Sequence, residues 1–512
     1  MIFDSKNKDS VLKITSYLII SVGIFLRLAQ YFSNKSLWRD EAMLALNIME
    51  KSFIDLLKPL DYSQYAPPGF LIIEKLIISI LGQSEFSFRL FPLICGIASL
   101  FLFYKLIKKC LSPLAVPVAL VLFSVLLCLN YYSSEAKQYS SDLLFTLLFI
   151  LVAIDLKEKS TIFYFIIYAL AGALVIWFSH VSVFVLPGVG LSIFVLSLIK
   201  KERIKSILIL AACFLWIVSF LVFYFFSVSH IVKIPGLIDY WSNYYIPFPL
   251  HSTADFLKYK NIIKEFFRFT SLNSIAGICF LTGLVYFFQK KKGVFFILAM
   301  PAFITLIASV FHKYPIFERF VLFLIPATIC FIAEGAEWIR AKTWNRFPLA
   351  GIIIIILLLY KPVNFTRINF THPLTQEETK PVFKYIKEHL KNGDVIYVSD
   401  PLQFSFKYYA KNYNFCSDYS IKQDREKVEE AKCSEFNHRL FLGAAENLST
   451  RELEKIPKNK RVWFIFSEKL SDNRADKAVT LNYLDKVGVK TGSFLRQGIV
   501  AYLYDLDMRS NH

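Results

Sequence analysis

Long apolar runs alternating with short basic clusters constrain this chain more than any other feature. Runs close to the span of a bilayer, roughly 20 residues of helix, fall near 13–32, 87–107, 113–131, 140–156, 161–178, 181–199, 205–228, 273–289, 294–311, 319–335 and 348–363. Between them lie Lys105, Lys108 and Lys109; Lys157 and Lys159; Lys200, Lys201, Arg203 and Lys205; Lys290, Lys291 and Lys292; and Arg340, Lys342 and Arg346. At 512 residues, 55% hydrophobic and 17% aromatic, with a mean hydropathy of +0.47, the chain has more apolar surface than a soluble domain of its size can hide. The expected class is an α-helical multi-pass membrane protein of about eleven spans. A net charge of +18 in one soluble patch would suggest nucleic acid. Split among short loops between apolar runs, it is the positive-inside pattern, and nucleic-acid binding is excluded.

Residues 1–10 are polar, and the run from Val11 to Phe32 is too long for a signal-peptide core and lacks a small-residue cleavage pattern. A retained first span with its N-terminus inside is expected. The segment 68–82 is apolar but short and carries Glu74 and Lys75 in its middle, so it is read as an amphipathic helix on the membrane surface. Parity favours that choice. If 68–82 does not cross, every basic cluster lands inside, while the loops holding Asp40, Glu135, His180 and Arg319 land outside; if it crosses, everything downstream inverts.

Beyond about Asn364 the long apolar runs stop and Lys, Glu and Asp increase. The expected division is a membrane domain over 1–363 and a soluble α/β domain over 364–512, periplasmic or extracellular. Strand-like runs at 395–399, 439–442, 462–467 and 499–504 alternate with helical stretches at 377–390, 402–411, 424–432 and 476–487. Cys416 and Cys433 lie in this region, and an extracytoplasmic location permits a disulfide between them, with two unpaired thiols as the alternative.

Three loops carry candidate chemistry. The first, from Ser33 to Pro68, places Asp40 and Glu41 side by side after Trp38 and Arg39. Adjacent acids beside a membrane suit proton transfer, and they also suit the start of a helix, where negative charge meets the positive dipole end. The second holds Glu135, Lys137, Tyr139 and Asp142; continuous helix through it would put Glu135, Tyr139 and Asp142 on one face. The third, His312 to Arg319, brings Tyr314 and Arg319 to the outer surface, where a guanidinium can pair two phosphate oxygens or snorkel to headgroups. His180, alone at a span end, is read as structural. Asp40, Glu41, Glu135 and Asp142 leave a divalent metal open as a cofactor, and no other cofactor is expected. Nucleotide-hydrolase, zinc-protease and serine-hydrolase motifs are absent from the sequence.

The order Trp38-Arg39-Asp40-Glu41-Ala42, Tyr65-Ala66-Pro67-Pro68-Gly69-Phe70, Ser84-Glu85-Phe86-Ser87-Phe88-Arg89-Leu90 and Tyr132-Ser133-Ser134-Glu135-Ala136-Lys137-Gln138-Tyr139-Ser140 resembles the bacterial GT-C glycosyltransferases related to protein O-mannosyltransferases and aminoarabinose transferase. Tyr314-Pro315 with Glu318-Arg319-Phe320, and the tail from Pro381 through Val398, are similar too, so the resemblance covers nearly the whole chain. Relatives often carry His where this chain has Ala66, and Arg where it has Lys137.

The resemblance implies inverting transfer of a sugar from a polyprenyl-phosphate donor on the outer face of the plasma membrane. The implied acceptor is an envelope hydroxyl on a lipid, glycan or protein. It makes Asp40 the base, followed by Glu41, and gives the donor phosphate to Arg319, Lys137 and Tyr314. Glu135, Tyr139 and Asp142 are then substrate-binding. Competing readings are a lipid-linked-glycan flippase, which calls for charges within spans, and a non-catalytic envelope scaffold.

Overall fold

The computed structural model describes residues 5–158, 161–229, 237–344, 347–416, 429–431, 439–443, 453–468 and 473–506. They divide into two compact units: Met1–Ser33, Phe53–Pro59 and Tyr65–Pro373 form the first, and Asn34–Ser52, Leu60–Gln64 and Leu374–His512 the second.

The first unit is helical. All eleven apolar runs are helices, but among the described residues eight helices are long and apolar enough to cross a bilayer alone: Ser10–Phe32, Glu85–Cys110, Tyr139–Leu156, Ser182–Ile199, Arg203–Ser227, Lys292–Val310, Glu318–Thr343 and Leu349–Thr371. The other three fall short. Ala115–Val125 stops where Leu126 turns extended, Ile162–Val175 has 14 residues, and Ser274–Lys290 is bent by 104° from the preceding Thr253–Thr270, a pair that counts as a ninth span if taken together. Thr253–Thr270 was not foreseen. Lysines interrupt its apolar pattern, and a Ser252 to Asp255 capping box starts it. Two glycines set one crossing: a Cβ on Gly283 would lie 1.9 Å from the Phe331 carbonyl oxygen, and one on Gly335 would lie 1.9 Å from that of Cys279. There the Ser274–Lys290 and Ile325–Thr343 helices touch backbone to backbone, as small residues allow in membranes.

Loop contacts sort by helix end as parity requires. At the ends bearing the basic clusters, Glu334 accepts from the Ser112 amide (2.8 Å), the Ser112 hydroxyl (2.6 Å) and Lys291 (3.2 Å), and Lys109 pairs with Asp155. At the opposite ends, the Gly69 amide donates to Trp177 (2.8 Å), the Tyr31 hydroxyl to Phe86 (2.9 Å) and Arg268 to Glu318 (3.0 Å). The Pro68–Leu81 helix therefore starts and finishes at one end of the bundle. Its polarity is not that of a simple surface helix, however. Glu74 is 1% exposed and packs on the same buried face as Phe70 and Ile78, and burial pushes its carboxyl well above the usual range.

A six-stranded sheet in the order β2-β3-β1-β4-β6-β5 builds the second unit. Its strands are β1 Val395–Val398, β2 Glu429–Ala431, β3 Arg439–Leu442, β4 Arg461–Ser467, β5 Val489–Arg496 and β6 Ile499–Asp505. β1 lies parallel between β3 and β4, and β2, β5 and β6 pair antiparallel. Near-continuous apolar β1 and β4 bury Val395, Tyr397, Phe464 and Phe466 with Leu484 and Tyr504, as central parallel strands do. Two expectations are corrected. Residues 429–431 of the expected 424–432 helix are a strand, the rest of that stretch lying outside the described residues. β5, a mostly exposed edge strand, has no apolar alternation by which to read it. Cys416 is disulfide-bonded, and Cys433, its expected partner, lies outside the described residues.

Two stretches of the first loop, Asn34–Ser52 and Leu60–Gln64, belong to this unit with the sheet. The Tyr409 hydroxyl accepts from the Leu37 amide (2.8 Å), the Ser36 hydroxyl from the Lys380 amide (3.0 Å), and Lys407 pairs with Glu50 (2.9 Å). Tyr62 meets Phe404 edge-on at 5.1 Å.

Candidate active site

In the second unit the acids lie in the first turn of the helix Arg39–Glu50, which starts two residues earlier than a cap by Asp40 would give and three earlier than one by Glu41. Trp38 occupies the N-cap position, and its indole is a donor with no capacity to accept helix amides. Acceptors come from elsewhere: Glu41, at the third helical position, reaches back to the Trp38 amide (3.4 Å), and Glu377 accepts from the Arg39 amide (3.1 Å) and the Ser467 hydroxyl (2.9 Å). Glu41 is fully buried, and capping occupies it; Asp40 is half-buried at the second helical position. The two acids thus have different surroundings. Burial, reinforced by Glu50 and Asp61, raises the Tyr62 hydroxyl to about 12.

In the first unit the other candidates gather at the ends of the spans opposite the basic clusters. Glu135 does not share a helix face with Tyr139 and Asp142, because the helix begins at Tyr139. The Ser133 hydroxyl turns back to the Asn130 carbonyl (2.6 Å) and the Ser140 hydroxyl to that of Tyr132 (2.8 Å), local bonds that compete with helix through 133–138. Glu135 and Lys137 are buried in this bend. Tyr132 is within electrostatic reach of Glu135, Arg319, Tyr139 and Glu318. The Arg319 guanidinium lies 5.9 Å from the Tyr139 ring centre and 5.7 Å from that of Phe320, inside cation–π range.

Tyr314 is half-buried beside this group and donates to the Phe320 carbonyl (2.9 Å). Burial, with the nearby charge of Asp142 and the Tyr139 hydroxyl, holds its hydroxyl well above the ordinary value. Asp142 is turned inward: it accepts from the Ser179 hydroxyl (2.5 Å) and the His180 amide. Its geometry fixes the turn into the Ser182–Ile199 helix. His180 stacks on Tyr65 at 3.9 Å and 7°, and burial lowers its imidazole to about 3, so it stays neutral. Sequence reasoning did not find the Tyr65–His180 stack, since 115 positions separate the two rings; the Tyr65-Ala66-Pro67-Pro68 motif was the available signal. Pro68 starts its helix, and a Cβ on Gly69 would lie 2.6 Å from the Phe178 ring, which explains the glycine.

Among the described residues, no three His, Cys, Asp or Glu side chains converge as metal ligands would.

Similar folds bear on this geometry. ArnT from Cupriavidus metallidurans in the apo state matches over 96% of this chain and 98% of its own, at 11% identity and a TM-score of 0.56. The same protein bound to undecaprenyl phosphate matches over 95% and 97%, at 11% identity and a TM-score of 0.53. The archaeal oligosaccharyltransferase AglB from Archaeoglobus fulgidus, in complex with an inhibitory peptide and a dolichol-phosphate, matches over 95% of this chain and 74% of its own, at 10% identity and a TM-score of 0.51. At 10–11% identity, the likeness to these structures is one of fold. Residues 65–226, which hold the Tyr65-Ala66-Pro67-Pro68 motif and the second loop, match the family described as dolichyl-phosphate-mannose-protein mannosyltransferase. No curated protein matches the chain in sequence.

Proposed function

We propose that the protein transfers a sugar from a polyprenyl-phosphate donor to an envelope hydroxyl on the outer side of the plasma membrane, with inversion at the anomeric carbon. The Asp40 carboxylate takes the acceptor's O–H proton as that oxygen bonds to the anomeric carbon. The bond from that carbon to the phosphate oxygen breaks with its electron pair leaving on the phosphate. A positioned base of this kind typically contributes 10²–10⁴-fold. Arg319 stabilises the charge growing on the leaving phosphate, with Tyr314 as a hydrogen-bonding hydroxyl and Lys137 as a second cation. Glu135 and Tyr139 contact substrate. Asp142, whose acceptor capacity meets Ser179 and His180, holds the loop.

The observation that carries this reading is the gathering of Arg319 with Tyr139, Tyr132, Tyr314 and Glu135 at the ends of the spans opposite the basic clusters. Support comes from ArnT and AglB, whose structures hold undecaprenyl phosphate and dolichol-phosphate. The disulfide at Cys416 supports an oxidising, extracytoplasmic location for the sheet domain. The test is to label the polyprenyl-phosphate-sugar pool of membranes with and without the protein, then fractionate lipid, glycan and protein. Label entering one fraction only when the protein is present supports transfer and names the acceptor class; identical distributions contradict it.

A further inference from the structure

The helix that presents Asp40 has at its N-cap position Trp38, whose indole donates and does not accept. Ser, Thr, Asp and Asn satisfy the orphan amides of a first turn, and Trp38 cannot. Local sequence alone favours another register, with Asp40 or Glu41 as the cap and the helix opening at Glu41 or Ala42 respectively. The helix opens at Arg39 instead, and the Arg39 amide is satisfied by Glu377, some 340 positions away in sequence, which is 3% exposed. Glu377 is itself held by the Ser467 hydroxyl at the end of β4, and the amide of the next residue, Glu378, bonds the Gln497 carbonyl in the β5–β6 turn (3.0 Å). The acceptor is therefore mounted on the sheet.

We infer that Glu377 is a positioning residue that caps the Arg39–Glu50 helix from the sheet domain, setting its start so that Asp40 stands at the second helical position instead of serving as the cap. The buried carboxylate also places negative charge at the positive end of the helix dipole. Leu37, Ser36 and Glu50, bonded to Tyr409, Lys380 and Lys407, seat the same segment on the same domain. The sheet domain thus acts as the mount of the first-loop acid. Its catalytic consequence rests on the reading of Asp40 as the base; its structural content does not.

The test uses full-length protein in detergent and four variants: Glu377→Ala, Glu377→Gln, Glu377→Ala with Trp38→Asn, and Asp40→Asn. Hydrogen exchange of the peptide over 37–46 reads the register without any substrate. Glu377→Ala is expected to speed exchange there at least tenfold, Glu377→Gln to stay within about threefold of wild type by keeping an acceptor, and Trp38→Asn to restore protection by supplying a local cap. Transfer of label from the membranes' own polyprenyl-phosphate-sugar pool should fall at least tenfold in Glu377→Ala and recover in the other two Glu377 variants. Unchanged exchange in Glu377→Ala, or no rescue by Trp38→Asn, overturns the capping inference. Altered exchange with undiminished transfer, where Asp40→Asn is inactive, overturns the positioning role. If Asp40→Asn is active, the proposed chemistry fails while the exchange data still decide the cap.

Discussion

Ser179 donates its hydroxyl to Asp142 at 2.5 Å, tying the helix after the second outer loop to the turn that carries His180. His180 in turn stacks on Tyr65 at the head of the Pro68–Leu81 helix, so three segments that lie apart in the chain are joined through two side-chain contacts.

Asp142 should therefore behave as a fixture of the fold. Asp142→Leu strands the Ser179 hydroxyl and the His180 amide, at about 1–3 kcal/mol for each buried group left unpaired. The Tm of the detergent-solubilised protein should drop by several degrees, whereas Asp142→Asn, which keeps an acceptor oxygen, should lose much less. Equal Tm values for Asp142→Leu and wild type would contradict this role.

The buried imidazole gives a pH dependence with a definite sign. His180 titrates at about 3 in the folded protein, below its ordinary value of 6.5, because burial disfavours the charged ring. As pH falls below 6.5 the unfolded chain takes up that proton first, so stability is lost progressively down to about pH 3. His180→Phe keeps a ring for Tyr65 and removes the proton site, and its Tm should fall less over that window than that of wild type.

Much of this was legible in the sequence, and the failures have physical causes. Apolar runs located the helices of the eleven expected spans, because hydropathy acts locally; Thr253–Thr270, whose lysines break its apolar pattern, escaped. Three runs proved too short to cross alone, since a break such as that at Leu126 depends on backbone geometry with no Pro or Gly to mark it. The 133–138 bend was missed because serine hydroxyls compete for backbone carbonyls there. The start of the Arg39–Glu50 helix was read two or three residues late, because its acceptor, Glu377, comes from a distant part of the chain.

Arg319 meets the rings of Tyr139 and Phe320. Arg319→Ala should lower transfer by roughly 10²–10³-fold, the scale for removing one group that stabilises developing charge. Arg319→Lys keeps the charge but loses the planar fork, and should fall between Ala and wild type. The check is the initial rate of label transfer in membranes matched for inserted protein; full activity in Arg319→Ala would remove the phosphate assignment.

The most direct measurement is that same rate for wild type and Asp40→Asn, with insertion and the exchange pattern of 37–46 confirmed for both. Asn occupies the volume of the acid but does not accept the acceptor's proton, so transfer should be lost while the helix and the sheet domain stay folded. Transfer by Asp40→Asn at the wild-type rate would contradict the assignment of Asp40 as the base.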